Sequence, residues 1–233
     1  MSETVLVTGA ARGIGLEIAK AFLGRGFTVF ALSATLREEL AALGRENPGR
    51  LFAYECDVRQ EDRLAAVARD VASQAGALDV LVNNAAVYLD DKRWDLADAD
   101  FEAMKTMYDV NAISPLRVTR RFIDLLLAGS RKLLVNVSSE AGSIADMTRS
   151  NEYGYCMSKA ALNMASAILQ NRFRGQGVKV LVLHPGWVRT DMGGAEAPIQ
   201  PAASAARLCA LMLKKWRPGD PLFFDLEGRR MKW

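Results

Sequence analysis

The sequence predicts an α/β fold in which a mainly parallel sheet is covered by helices on both faces, and three observations predict it. Short apolar runs alternate with segments of helical periodicity along all 233 residues. The apolar runs are continuous, as strands buried on both faces require. The first run leads through a glycine-rich turn directly into a helix, the order of a parallel crossover unit. Residues 1–233 are therefore read as one doubly wound domain of about seven mainly parallel strands. Its ligands are expected at the carboxyl ends of those strands.

Thr4 to Val7 reads as the first strand. After Thr8-Gly9-Ala10-Ala11-Arg12-Gly13-Ile14-Gly15, the residues Leu16, Ile18, Ala19, Phe22 and Leu23 recur at helical spacing until Gly24 and Gly26. Phe27 to Leu32 is the second strand, Arg37 to Leu43 a short helix stopped by Gly44, and Asn47-Pro48-Gly49 a turn. Leu51 to Tyr54 is the third strand, ending near Asp57-Val58; Glu61 to Gln74 is a helix, and Leu78 to Val82 the fourth strand. A polar stretch from Tyr88 to Asp100 precedes helical segments reaching Ala128, and Leu133 to Val137 is the fifth strand. A loop from Ser138 to about Asn151 leads to a helix ending near Phe173. Val178 to Leu183 is the sixth strand, followed by His184-Pro185-Gly186, a helix from about Ala202 to Lys215, and a short strand from Leu222 to Phe224.

Composition excludes several classes. Half the residues are apolar and the formal charge is +3; the pairs Lys214-Lys215 and Arg229-Arg230 are too short to argue for nucleic acid. Cys56, Cys156 and Cys209 are scattered without a Cys-x-x-Cys, which predicts reduced thiols in a cytoplasmic protein. A single histidine, His184, excludes a zinc site built on several, and no metal is expected. The chain enters a strand at once without a cleavage region, and no apolar run is long enough for a bilayer, so neither a leader nor a membrane partner is expected.

Two stretches carry chemistry. Gly9, Gly13 and Gly15 stand between a strand and a helix, where glycine lets backbone amides approach a pyrophosphate at a helix N-terminus. The end of the second strand, Leu32-Ser33-Ala34-Thr35, carries no carboxylate to hold ribose hydroxyls, while Arg12 and Arg37 are near enough in sequence to meet a 2′-phosphate. NADP(H) is therefore expected over NAD(H), although solvated surface is the plain alternative for both arginines. In the second stretch, Tyr155 and Lys159 lie one helical turn apart. A phenol ionises near pH ~10, and a neighbouring ammonium favours the phenolate, allowing proton transfer at neutral pH.

Thr8-Gly9-x-x-x-Gly13-x-Gly15, Asn83-Asn84-Ala85, Asn111, Ser138-Ser139, Tyr155-x-x-x-Lys159 and Pro185-Gly186 occur in this order. Together they resemble the short-chain dehydrogenase/reductase family over nearly the whole chain, and Leu183 to Gly194 is similar to its carbonyl-reductase-like branch. The resemblance implies a Rossmann-type fold. It implies Tyr155 as general acid or base, Lys159 lowering its pKa and holding the nicotinamide ribose, and Ser139 donating to the substrate carbonyl. It further implies that Asn111 anchors a proton-relay water. The cofactor would be held by Gly9, Arg12, Gly13, Ile14, Gly15, Ser33, Asp57, Val58, Asn84, Ala85 and Ala86, with Pro185, Gly186, Val188 and Thr190 over the nicotinamide.

Three departures from the family pattern stand out. Ala86 occupies a position where glycine is usual, the Ser139–Tyr155 interval is longer by about three residues, and the segment after Thr190 is short, which predicts an open pocket. Tyr88, Trp94, Met147, Tyr153, Trp187 and Met192 are candidate pocket residues, with core packing as the alternative. The leading expectation is an NADPH-dependent reductase of aldehydes, ketones or quinones, running alcohol oxidation in reverse. The second is a dinucleotide-binding regulator on the same fold. A serine hydrolase built on Ser139 and His184 ranks third, because no Gly-x-Ser-x-Gly elbow is present. The helix from Ala160 to Leu169 is apolar on more than one face, so a homodimer is expected.

Overall fold

The computed structural model describes residues 2–91 and 95–233. Seven parallel strands form one sheet in the order β3-β2-β1-β4-β5-β6-β7: β1 Thr4–Thr8, β2 Thr28–Ser33, β3 Leu51–Glu55, β4 Val80–Asn83, β5 Leu133–Val137, β6 Lys179–Leu183 and β7 Phe223–Phe224. The strand order reverses between β1 and β4, which opens a crevice at their carboxyl ends.

Side chains alternate along each strand and so feed two cores. Val5, Val29 and Val80 meet α1 (Gly13–Leu23) and α7 (Pro201–Met212) through Ile18, Phe22, Leu208 and Met212. Leu6, Phe30 and Leu81 point the other way, against α3 (Glu61–Ala75) and α5 (Ser114–Ala128) through Leu64, Val67, Phe122 and Leu126. The remaining α-helices among the described residues are α2 (Glu38–Glu46), α4 (Phe101–Tyr108) and α6 (Tyr153–Phe173), and a π-helical turn, Asp109–Ile113, joins α4 to α5.

Several boundaries differ from the sequence reading: α2 runs through Gly44 to Glu46, where the Asn47 amide bonds back to the Gly44 carbonyl, and β2, β6 and β7 each begin one residue later than read. β4 begins at Val80, because the Leu78 amide bonds to the Leu125 carbonyl outside the ladder. The last helix ends at Met212, where the Trp216 indole donates to the Leu211 carbonyl and turns the chain away. A polar seam ties β4, β5 and α6 together: Asn83 Nδ2 donates to Asn136 Oδ1 at 2.8 Å, and Asn136 Nδ2 to Ser166 Oγ at 2.8 Å. Among the described residues no helix is long and apolar enough to cross a membrane.

Candidate active site

The crevice is bounded on one side by the turn from β1 to α1. Gly9 and Gly13 adopt φ of +66° and +56°, which glycine takes without strain. Gly15 has a different reason: a Cβ there would lie 2.3 Å from the Gly9 carbonyl oxygen. Arg12 caps α1 with no side-chain hydrogen bond, so the first-turn amides around Gly13, Ile14 and Gly15 remain available to an anion at the positive end of the helix. Asn84 braces this turn, donating from Nδ2 to the Thr8 carbonyl at 2.9 Å, while Thr8 Oγ1 accepts from the Asn84 and Ala85 amides. These residues fit a dinucleotide.

Ser33 ends β2, and Asp57 and Val58 follow β3 beside it. The Asp57 carboxylate is held by Arg59, whose guanidinium keeps it below the usual carboxylate range despite partial burial. Ala86 lies after β4, next to Val87, whose amide donates to Asn111 Oδ1 at 2.8 Å. Arg12 pairs with Asp191 across the crevice mouth, and both side chains are mostly exposed. Its guanidinium therefore already has an anionic partner, which a 2′-phosphate would have to replace.

The other side, called the carbonyl wall after the role that the family resemblance implies for it, is built from Ser139, Tyr155 and Lys159. Ser139 Oγ donates to Glu140 Oε2 at 2.6 Å and accepts from the Ala141 amide. Ser138 is committed elsewhere, donating to buried Asn163 at 2.7 Å. Tyr155 stands in the first turn of α6, where its amide donates to Asp90 Oδ2 at 2.7 Å, and its ring meets Tyr88 edge-on at 5.2 Å. Lys159, one turn on, is buried; its Nζ donates to the Val137 carbonyl at 3.0 Å and lies 5.7 Å from the Tyr155 ring centre.

The protein's own electrostatics depart from the sequence expectation for this pair. Burial pushes the Tyr155 phenol up to about 12, and contact with Ser139 only partly offsets it. Burial also lowers Lys159 to about 8, because desolvation penalises its charged form. Asn111, in the π-turn, spends its side chain on Val87 and Ser158, donating to the Val87 carbonyl at 2.9 Å and to Ser158 Oγ at 3.0 Å. It clamps the loop after β4 to α6 directly.

A cleft of about 620 Å³ joins the two walls, lined by Ile14, Thr190, Pro185, Gly186 and Val188 on one side and Ser139 and Tyr155 on the other. Tyr88, Trp187 and Met192 line it as expected from the sequence. Tyr153 does not: it turns toward Asp90, Asp91 and Asp95 and donates to the Ser150 carbonyl. Met147 is an exposed loop residue off the lining, and Trp94 lies outside the described residues. His184 also lines the cleft, its imidazole kept neutral by burial and set 3.4 Å from Glu140. Sequence reasoning missed Glu140, Arg149 and Glu152; an acid directly after Ser-Ser and an Arg-x-x-Glu in a loop were the available signals.

Fold and site together define an oxidoreductase acting on CH–OH and carbonyl groups. The family model for short chain dehydrogenases matches residues 3–200, and the chain belongs to that family, in its carbonyl-reductase-like branch. It is 39% identical over 160 residues to the C-signal protein of Myxococcus xanthus, covering 68% of this chain and 94% of that one. The carbonyl reductase Sniffer of D. melanogaster superposes with a TM-score of 0.92 at 26% identity, covering 100% of both chains. The NADPH-bound carbonyl reductase from chicken fatty liver gives 0.91 at 28%, covering 100% of this chain and 99% of that one.

Proposed function

We propose that this chain reduces aldehyde, ketone or quinone carbonyls with NADPH, reversibly, with Tyr155 as general acid. The observation that carries the reading is the convergence of Ser139 and Tyr155 on a cleft whose opposite wall is the end of the glycine turn. A bound nicotinamide supplies the hydride. Ser139 turns its hydroxyl from Glu140 to the carbonyl oxygen, and Tyr155 donates its proton there, so both meet charge where it develops. The high phenol pKa makes Tyr155 a proton donor at neutral pH, and Lys159 stands behind it to favour the phenolate left after transfer. Asn111 keeps the β4 loop and α6 in register.

NADPH is favoured over NADH because Ser33 closes β2 without a carboxylate and Arg12 stands at the mouth; the NADPH-bound chicken relative supports the same choice. The signalling reading has one observation in its favour, the name of the Myxococcus relative. Exposed Met157, Met164 and Ile168 on α6 support a homodimer, checked by a sedimentation mass of two chains.

The test is loss of NADPH absorbance over a panel of α-diketones, quinones, aromatic aldehydes and simple ketones. Tyr155→Phe is expected to cut kcat by about 100- to 10,000-fold while NADPH still binds. A variant as active as the parent would end the proton-donor assignment. A biological effect that survives Tyr155→Phe would favour the signalling role, and NADH binding as tightly as NADPH would refute the cofactor choice.

A further inference from the structure

Three charged side chains line the carbonyl side of the cleft, and none moves hydride or proton: Glu140, Arg149 and Glu152. Arg149 sits between the carboxylates, with one terminal nitrogen on Glu140 and the other on Glu152. Glu152 also accepts from the Tyr88 hydroxyl at 2.5 Å, and Glu140 from Ser139 at 2.6 Å. The side chains form a gradient of exposure, 45% for Glu140, 31% for Arg149 and 7% for Glu152, so the network runs from the mouth to the interior.

Two carboxylates share one guanidinium, which leaves a surplus negative charge on this wall. The other titratable groups of the lining do not cancel it, and the Lys159 ammonium behind Tyr155 offsets it only from outside the lining. Burial raises the Tyr88 and Tyr155 phenols and lowers the His184 imidazole, so all three are neutral at pH 7. Lys159 lies behind Tyr155, outside the lining, with its ammonium on the Val137 carbonyl.

The backbone gives an independent observation. Glu152 adopts φ 63°, ψ 40°, a left-handed conformation that disfavours any residue with a Cβ. Glycine would take it freely, yet this position holds a carboxylate bonded to both Tyr88 and Arg149.

We propose that the Glu140–Arg149–Glu152 triad selects substrates by charge, admitting neutral and cationic carbonyl compounds to Ser139 and Tyr155 and turning away those that carry a carboxylate. The inference rests on the reading of the cleft as a carbonyl-reducing site. Among the described lining residues, Arg149 is the one cation that a substrate carboxylate could meet, and both its terminal nitrogens are engaged. An anion must displace Glu140 or Glu152, stranding a carboxylate, or face the surplus charge unpaired; either is costly. A cationic substituent meets that surplus favourably.

The test uses one scaffold with three charges: 4-formylbenzoate, its methyl ester and 4-formylphenyl-trimethylammonium. They serve as substrates with NADPH or as competing inhibitors of the best-reduced carbonyl of the wider panel. The ester and the ammonium are expected to exceed the carboxylate by about tenfold or more in kcat/KM or inhibitory affinity. Added salt should improve the carboxylate while leaving the ester unchanged. Glu152→Gln should narrow the ester-to-carboxylate ratio and Arg149→Met should widen it, whereas damage to folding would scale all three probes alike. Equal handling of ester and carboxylate by the parent protein would overturn charge selection and leave the reductase reading intact. Failure to reduce any carbonyl of the panel would overturn the reductase reading and the inference with it.

Discussion

Along the nucleotide wall of the cleft the working parts are main chain, whereas along the carbonyl wall they are side chains. Gly9, Gly13 and Gly15 matter for the atoms they lack, and the α1 amides matter because no side chain caps them. Ser139, Tyr155, Glu140, Arg149 and Glu152 matter for the hydrogen bonds and charges they bring. A main-chain wall tolerates little added bulk but is indifferent to pH. A side-chain wall tolerates changes in volume better, and responds to every change in charge.

The largest effect that would sharpen this contrast is Gly15→Ala. Its Cβ would stand 2.3 Å from the Gly9 carbonyl oxygen and 2.5 Å from Asn84 Nδ2, and the backbone cannot withdraw as a side chain can. We expect a loss of ~1–3 kcal/mol by urea unfolding together with weakened NADPH binding. Gly175→Ala, which meets nothing within 4 Å, is the control. Unchanged NADPH affinity in Gly15→Ala would break the idea of a main-chain wall.

Next in size is a pH effect in which the carbonyl side of the cleft takes part through Lys159. Burial takes Lys159 from 10.5 to about 8, so between these values the unfolded chain holds a proton that the folded chain has released. Its contribution is therefore complete above the unfolded pKa, and stability is lost as pH falls through about 8. Lys179 on β6, also lowered to about 8 by burial, adds in the same direction. The thiols of Cys56, Cys156 and Cys209, raised by burial, act in the opposite direction, so the test is a difference. Between pH 7.5 and 9.5 the parent's stability in urea should rise more, or fall less, than that of Lys159→Met. A variant with the parent's full slope would place the titration elsewhere.

The smallest effect concerns Asp90, which caps α6 from outside the helix by accepting from the Tyr155 amide. Asp90→Ala, which removes the acceptor, should cost ~0.5–2 kcal/mol of stability and lower kcat while leaving the NADPH dissociation constant unchanged. Equal losses in kcat and cofactor affinity would mean that the two walls are not separable.

The same contrast explains what the sequence revealed. The strands were readable because their apolar runs are unbroken, and the nucleotide wall because glycine spacing specifies backbone geometry. Tyr155 and Lys159 were readable because one helical turn puts them on the same face. Tyr153 was misjudged because two positions along a helix turn a side chain to the opposite side, which depends on where α6 begins. Glu140, Arg149 and Glu152 converge through an irregular loop and a left-handed residue, for which no periodicity exists to be read. Arg12 was legible as a cation at the mouth, but its partner Asp191 is 179 positions away, so nothing local announced it.

The Asp90–Tyr155 contact spans 65 residues, and this separation bears on the order in which the protein matures. Local helical turns close early, while a contact of this range waits for β4 and β5 to join the sheet. The chain can thus hold most of its helix before Tyr155, the proposed proton donor, is in place. During refolding, recovery of activity should therefore trail recovery of far-ultraviolet dichroism, with an interval of helical but inert protein between them.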